Sequence, residues 1–219
     1  VKYHAFVDFD GTVTAEDVGY NFFKRFTFEK TEDVVRKYRN GEISAIECLK
    51  TECDIYNENP APAKEVREFI NSQKLTAGFK QFVEYCQANQ IKLTVLSAGF
   101  DFYIDRILKN NGLEQLDVYV TPTVLKNGRI NPEFIYYDEK VCRQCSNCKG
   151  ERIKQLAAPD AVSVFIGDGH SDWHGAQNAD VVFARSFLAR YLDKKNIYYQ
   201  SYRDFFDIIS GFQKLLRSD

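Results

Sequence analysis

Apolar positions in this chain open as a short continuous run and then settle into helical spacing. Tyr3 to Asp8 predicts a buried strand that empties into Asp-Phe-Asp-Gly-Thr. Over roughly the next sixty residues the spacing is helical. Phe22, Phe23 and Phe26 share one face, as do Val34, Val35 and Tyr38, and then Ile43, Ile46 and Leu49. Asn59-Pro60-Ala61-Pro62 interrupts the run, and Val66, Phe69 and Ile70 resume it.

From Thr76 the two habits alternate. Phe79, Phe82, Val83 and Cys86 predict an amphipathic helix, and Lys92 to Ser97 a strand. Asp101 to Asn111 reads as a helix turning Tyr103, Ile104, Ile107 and Leu108 inward, with Gly112 as its terminator. Val118 to Val124 and Ile130 to Tyr137 flank Asn127-Gly128, a strong hairpin signal. A helix starts near Lys149, Val162 to Ile166 is a buried strand ending in Gly-Asp-Gly, and Val181 to Phe183 is a short strand. Phe205, Ile208, Ile209, Phe212 and Leu216 mark a further amphipathic helix.

Strand–helix alternation of this kind predicts an α/β fold, a doubly wound parallel sheet with helices on both faces. Residues 15-75 break the alternation just after the first strand and read as an inserted helical cap. The expected domains are therefore a catalytic core of 1-14 and 76-219 and a cap of 15-75. Asp8, Ser97 and Asp168 each fall at the carboxyl end of a predicted strand, where open α/β sheets bind their ligands.

Four segments there carry candidate chemistry. In Asp8-Phe9-Asp10-Gly11-Thr12, strand alternation puts both carboxylates on one side, an arrangement that a cation or a function must sustain. Gly11 permits a sharp turn, and the amides from Asp10 to Thr12 can form an anion nest. An acidic strand end followed by an ordinary turn would read the same way. Leu96-Ser97-Ala98-Gly99 offers a hydroxyl beside a helix start, which serves a phosphoryl oxygen or simply caps the helix. Lys149 begins a helix against the dipole preference, a local conflict of the kind found at sites, although surface lysines also occur there. Gly167-Asp168-Gly169-His170-Ser171-Asp172 offers two carboxylates to a hard cation such as Mg²⁺, or is a polar loop.

Composition narrows the partners. Of 219 residues, 44% are hydrophobic and 27% charged, the net charge is -2, and no basic run stands out. That balance gives nucleic acid and anionic membrane no electrostatic hold. No apolar stretch approaches the roughly 20 residues that span a bilayer. Val1 to Phe9 is too short and too acidic for a secretion signal, so a cytoplasmic location is expected. Cys48, Cys53 and Cys86 sit singly in helical patterns as small core residues. Cys142, Cys145 and Cys148 cluster; in a reducing compartment they are three free thiols or three ligands of a structural Zn²⁺. A zinc site normally closes with four ligands, and His170 or His174 is available as the fourth.

The four segments, in this order, resemble the motifs of the haloacid-dehalogenase-like hydrolases: Asp-x-Asp-Gly-Thr, a strand-end Ser, a Lys and Gly-Asp-x-x-x-Asp. The resemblance implies that Asp8 is the nucleophile and Asp10 the general acid/base. It implies Mg²⁺ on Asp8, Asp168 and the Asp10 carbonyl. Ser97 and Lys149 then bind the phosphoryl group, with Gly11, Thr12, Ala98, Gly99 and Asp172 around it. The expected reaction is hydrolysis of a small-molecule phosphate monoester through an aspartyl phosphate. An acid two residues beyond the nucleophile suits an alkoxide leaving group rather than a halide, which needs no proton.

The insertion after the first motif resembles the cap of the phosphoserine-phosphatase-like branch. Ser97-Ala98-Gly99-Phe100-Asp101-Phe102-Tyr103, the cysteine cluster before Lys149, and Asp17 are similar to the methionine-salvage hydroxyketo-methylthiopentenyl-phosphate phosphatases and the phosphocholine/phosphoethanolamine phosphatases. Two alternatives share these motifs: a phosphotransferase or phosphomutase, and a non-catalytic module that binds a phosphate ligand.

Overall fold

The computed structural model describes residues 2–218; Val1 and Asp219, which the expected core bounds include, lie outside the described residues. Strands β1 (Lys2–Val7), β2 (Lys92–Phe100), β3 (Asp117–Thr121), β6 (Ala161–Gly167), β7 (Val181–Ala184) and β8 (Gln200–Ser201) form one sheet in the order β3-β2-β1-β6-β7-β8. Every pairing in it is parallel. The chain builds outward from β1 to β2 and β3, then returns to the other side of β1 with β6. The switch of direction therefore lies between β1 and β6, where Val7 pairs with Ile166, and the segments that follow these two strands flank a crevice.

The two faces of the sheet are filled by different helices. Tyr3, Ala5 and Val7 of β1 point into a core with α5 (Phe79–Ala88), α6 (Asp101–Asn110) and α10 (Phe205–Ser218). Phe6, between them, points the other way, into a core with α7 (Lys149–Leu156), α8 (Trp173–Gln177) and α9 (Ser186–Lys195). This is the doubly wound arrangement that the alternation predicts. Strands buried on both faces read as continuous apolar runs, which is why β1 and β6 were legible.

Between Thr14 and Leu75 stand α1 (Val18–Phe26), α2 (Glu32–Arg39), α3 (Ala45–Glu58) and α4 (Ala63–Asn71). Phe22 organises them: its ring lies 5.0 Å from Phe26, 5.3 Å from Tyr56 and 5.8 Å from Phe69. It also lies 5.4 Å from Phe102, at the start of α6. The two connections to the core pair with each other, since the Ala15 amide donates to Lys74 O (2.9 Å) and the Thr76 amide to Val13 O (2.9 Å).

Three sequence expectations need correction. Val118 to Thr121 is not a hairpin arm but the outer strand of the parallel sheet. Pro122, with no amide to donate, separates it from the true hairpin, β4 (Thr123–Lys126) and β5 (Arg129–Pro132). Asn127 and Gly128 do form its turn, both at positive φ, but residues 133–137 are not strand. Ile43 precedes the Ser44 cap and is not on a helix; α3 buries Ala45, Cys48, Glu52, Cys53 and Tyr56 instead. The segment α9–β8 was not foreseen, because β8 has only two residues and offers no alternation to read. Among the described residues no helix is long and apolar enough to cross a membrane.

Candidate active site

Asp8, Asp10, Ser97 and Asp168 reach the crevice because strands end there, and Lys149 reaches it from the start of α7. Asp8 follows β1; its amide completes the ladder to Ile166 O at 2.9 Å, and its side chain caps the next turn by accepting from the Phe9 amide at 2.7 Å. The turn needs Gly11, whose φ is +75° and where a Cβ would lie 2.7 Å from Asp168 Oδ2. Thr12 Oγ1 donates to Asp168 Oδ1 at 2.7 Å, and Arg185 Nη2 donates to Gly11 O at 2.6 Å, so the loop is pinned to the segments that follow β6 and β7.

Lys149, at the start of α7, is fully buried between two carboxylates: its Nζ is 2.5 Å from Asp8 Oδ1 and 2.5 Å from Asp172 Oδ1. Burial works against its charge, yet Asp172 and Asp8 hold its pKa above the usual lysine range. Asp172 spends its other oxygen on the amides of Asp168 (2.9 Å) and Gly169 (2.7 Å). It thus stands behind Lys149 rather than facing the crevice directly. Asp8 is pushed well above the usual carboxylate range by burial and by Asp172, with Lys149 opposing. Burial and Asp172 likewise push Asp168 up to about 7.

Asp8, Asp168 and Asp172 bring carboxylate oxygens within 4.8 Å of one another. Two buried acids share one ammonium with the half-buried Asp168 beside them, and all the donors are oxygen. A hard divalent cation such as Mg²⁺ fits that set and would neutralise the excess charge.

Asp10 is held apart from this group. Its Oδ1 accepts from the Val18 and Gly19 amides (both 3.1 Å) at the start of α1, and its Oδ2 accepts from the Tyr103 hydroxyl at 2.6 Å and from Ser97 Oγ at 3.5 Å. Burial first, and Asp17 second, push its pKa up to about 7, while Tyr103 and the Gly19 amide pull it down. A carboxyl poised there can give and take a proton near neutral pH. Ser97 Oγ also accepts from the Gly99 amide at 2.9 Å. Gly99 is required by close approach, since a Cβ would lie 2.0 Å from the Tyr103 hydroxyl and 2.5 Å from Asp10 Oδ2.

A cavity of about 540 Å³ covers these groups. Asp8, Asp10, Ser97, Ala98, Gly99 and Asp168 line it from the core; Asp17, Tyr20, Phe23, Tyr38, Arg39, Leu49 and Glu52 line it from α1–α3 and the turn before α1. His170 joins the two walls. Its Nε2 donates to Arg39 O at 2.8 Å, and its ring stacks on Phe187 at 4.3 Å and lies 5.4 Å from Tyr38.

The haloacid dehalogenase-like hydrolase family matches residues 5–177 of the chain. The chain belongs to this family. It is 27% identical over 214 residues to the 2-hydroxy-3-keto-5-methylthiopentenyl-1-phosphate phosphatase of Bacillus cereus (strain AH187), covering 96% of each chain. A protein of the same name from Bacillus thuringiensis (strain Al Hakam) is 27% identical over 213 residues, again covering 96% of each. Among solved structures, the apo form of a phosphoserine phosphatase superposes with a TM-score of 0.70 at 20% identity, covering 96% of this chain and 98% of that one. A phospho-aspartyl intermediate analogue of phosphoserine phosphatase gives 0.71 at 19% identity, covering 95% and 98%.

In this member of the haloacid dehalogenase-like family, Asp8, Asp10, Ser97, Lys149, Asp168 and Asp172 come together from four segments of the chain. Thr12 is turned toward Asp168, and the Ala98 carbonyl accepts from Thr121 Oγ1 at 2.9 Å. Sequence reasoning missed Tyr103, which read as one more inward residue of α6. The available signal was its hydroxyl, which must find a partner once the ring is buried. Glu52 was also missed; it is buried on α3, and burial followed by Asp17 pushes it up to about 8. Of the two histidines considered for the cysteine cluster, His174 lies among the thiols and His170 faces the cap helices.

Proposed function

We propose that the chain is a magnesium-dependent phosphatase that hydrolyses a small phosphate monoester through a phosphoryl group on Asp8. The observation that carries this reading is the pairing of two unlike acids in one cavity. Asp8 is bound to Lys149, and Asp10, two residues on, is poised at about 7.

An Asp8 oxygen attacks phosphorus in line, and the bond to the ester oxygen breaks as Asp10 protonates the departing alkoxide. Asp10, now a carboxylate, takes a proton from water, whose oxygen attacks the same phosphorus. The Asp8–phosphorus bond breaks, freeing phosphate and the original carboxylate. Lys149, Ser97 and the amides of the Asp10–Thr12 turn meet the charge that spreads over the phosphoryl oxygens. Asp172 orients Lys149. Asp8, Asp168 and the Asp10 carbonyl would hold Mg²⁺, which supplies charge neutralisation at the phosphoryl group when bound.

Residues 15-75 act as the cap over a core of 1-14 and 76-219, and supply the groups that read the leaving group. The aromatic and aliphatic lining from Phe23, Leu49 and Phe187, mixed with Arg39 and the acids, supports an ester with both an apolar and a polar end. The substrate named for the Bacillus relatives is of that kind and is the first candidate. Asp17 and Glu52, facing the cavity beside Tyr20 and Tyr38, favour a second, an ester bearing an ammonium group such as phosphocholine.

The test is phosphate release from a panel holding both esters, phosphoserine and p-nitrophenyl phosphate, with Mg²⁺, with EDTA, and with Asp8→Asn. Release that needs Mg²⁺ and Asp8, and no added acceptor, is the expected result. Failure to release phosphate from any ester by the folded, magnesium-loaded chain would overturn the reading, and transfer seen only with an acceptor would replace it with a phosphotransferase.

A further inference from the structure

We propose that Cys142, Cys145, Cys148 and His174 form a structural zinc site that fixes the position of Lys149. One donor atom from each of the four residues lies within 4.8 Å of all the others. His174 Nδ1 is 3.7 Å from Cys142 Sγ, 3.1 Å from Cys145 Sγ and 3.6 Å from Cys148 Sγ. Across a tetrahedral zinc, with its usual bond lengths to sulfur and nitrogen, that separation is about 3.6 Å. Three thiolates and an imidazole select zinc over magnesium, which takes hard oxygen donors. The two metal sites therefore do not compete for one ion.

The surrounding chain has a use for such a cross-link. From Glu133 to Cys148 the backbone forms neither helix nor strand, an uncommon length of irregular chain for a compact domain. Yet Cys145, Ser146, Asn147 and Cys148 are buried. Asn147 Nδ2 ties the loop to Ser97 O and Tyr119 O (both 3.1 Å), and Gln144 O accepts from the Ala45 amide (2.8 Å) at the start of α3. None of the three cysteines forms a disulfide.

The position of the cluster gives it a consequence. Cys148 immediately precedes Lys149, and His174 lies just beyond Asp172. One ion bound to both would join the two segments whose side chains make the Lys149–Asp172 pair. The sulfur atoms touch no reacting group, so these are positioning residues.

The proposal is independent of the phosphatase reading, because metal content is its first readout. The full chain, purified without a metal-binding tag and under reducing conditions, should carry one zinc by elemental analysis. That zinc should survive EDTA dialysis that strips magnesium and leave when the thiols are blocked with a mercurial. Exchange for Co²⁺ should give thiolate-to-cobalt charge transfer with tetrahedral d–d bands. His174→Cys should keep both the metal and the activity, to within about threefold, whereas His174→Ala should lose zinc and about tenfold or more in kcat with a smaller change in KM. A parent chain with no zinc, no thiolate–cobalt band and freely titrating thiols overturns the site, whether or not any variant folds. Zinc lost from His174→Ala with kcat unchanged overturns the positioning role.

Discussion

The Tyr103 hydroxyl donates a 2.6 Å hydrogen bond to Asp10 Oδ2, and among the described residues no other side chain touches that carboxylate as closely. A donor of this kind favours the ionised acid, and it opposes the burial that pushes Asp10 up to about 7. Tyr103→Phe removes the donor and keeps the ring. The pKa of Asp10 should then rise, by about one unit if the bond is worth about 1.5 kcal/mol. In the proposed mechanism transfer to Asp8 needs Asp10 protonated, so the alkaline limb of kcat/KM should move to higher pH. In that mechanism hydrolysis of the intermediate needs the carboxylate, so phosphoenzyme should accumulate near neutral pH. Rapid-quench kinetics over pH 5–9 (about four units, wide enough to bracket the shift) would show both. A limb that stays in place would make Tyr103 a packing residue only.

The second prediction concerns Lys149, whose ammonium is the shared partner of Asp8 and Asp172. Lys149→Met keeps most of the side-chain volume and leaves two buried carboxylates facing each other. Breaking a buried ion pair from one side costs about 3–5 kcal/mol. For a chain of this size that is a fall in Tm on the order of 10 °C. The proposed function puts magnesium on one of these acids, Asp8, so the ion should raise the Tm of Lys149→Met more than that of the parent. Calorimetry with and without Mg²⁺ decides; an unchanged Tm would mean that Lys149 contributes no net stability where it stands.

How much of this was open to sequence reading depends on where each signal resides. β1 and β6 are buried on both faces, and their apolar runs ended at Asp8 and Asp168, so the sheet and the crevice could be placed before the structure. The Asp10–Tyr103 contact could not, because Tyr103 sits at a helical core spacing with Ile104 and Ile107 and differs only in its hydroxyl. Pro122 hid in the middle of an expected hairpin arm, and its missing amide moved Val118–Thr121 into the main sheet. His174 was one of two histidines that could close the cysteine cluster; only the fold of the Gly167–Asp172 loop decides which ring meets the thiols. The cap's acidic group escaped for a similar reason. Ile43, Ile46 and Leu49 looked like the inward face of α3; Leu49 does line the cavity, but Ile43 lies before the helix, and α3 also turns Ala45, Cys48 and Glu52 to the cavity.

That acidic group supplies the last prediction. Glu52 is 5% exposed, and its carboxyl accepts from Cys48 Sγ at 3.8 Å. Burial first, then Asp17, push its pKa from 4.5 up to about 8. The folded chain therefore keeps a proton that the unfolded chain has already released between those two values. Stability from this group is complete below pH 4.5 and is lost as pH rises through about 8. Glu52→Gln keeps the shape and cannot ionise. It should leave the Tm nearly unchanged at pH 5 and raise it above pH 8, by roughly 4 °C or more if a penalty of about 2 kcal/mol is removed. Thermal unfolding of both chains across that range is the check. The same substitution bears on substrate choice, because a neutral amide beside Asp17 halves the negative charge available to an ammonium group. If KM for phosphocholine rises severalfold at pH 8.5 while KM for p-nitrophenyl phosphate holds (about 1 kcal/mol against none), the ammonium-bearing ester gains; if both hold, Glu52 matters to the fold of the cap and not to the ligand.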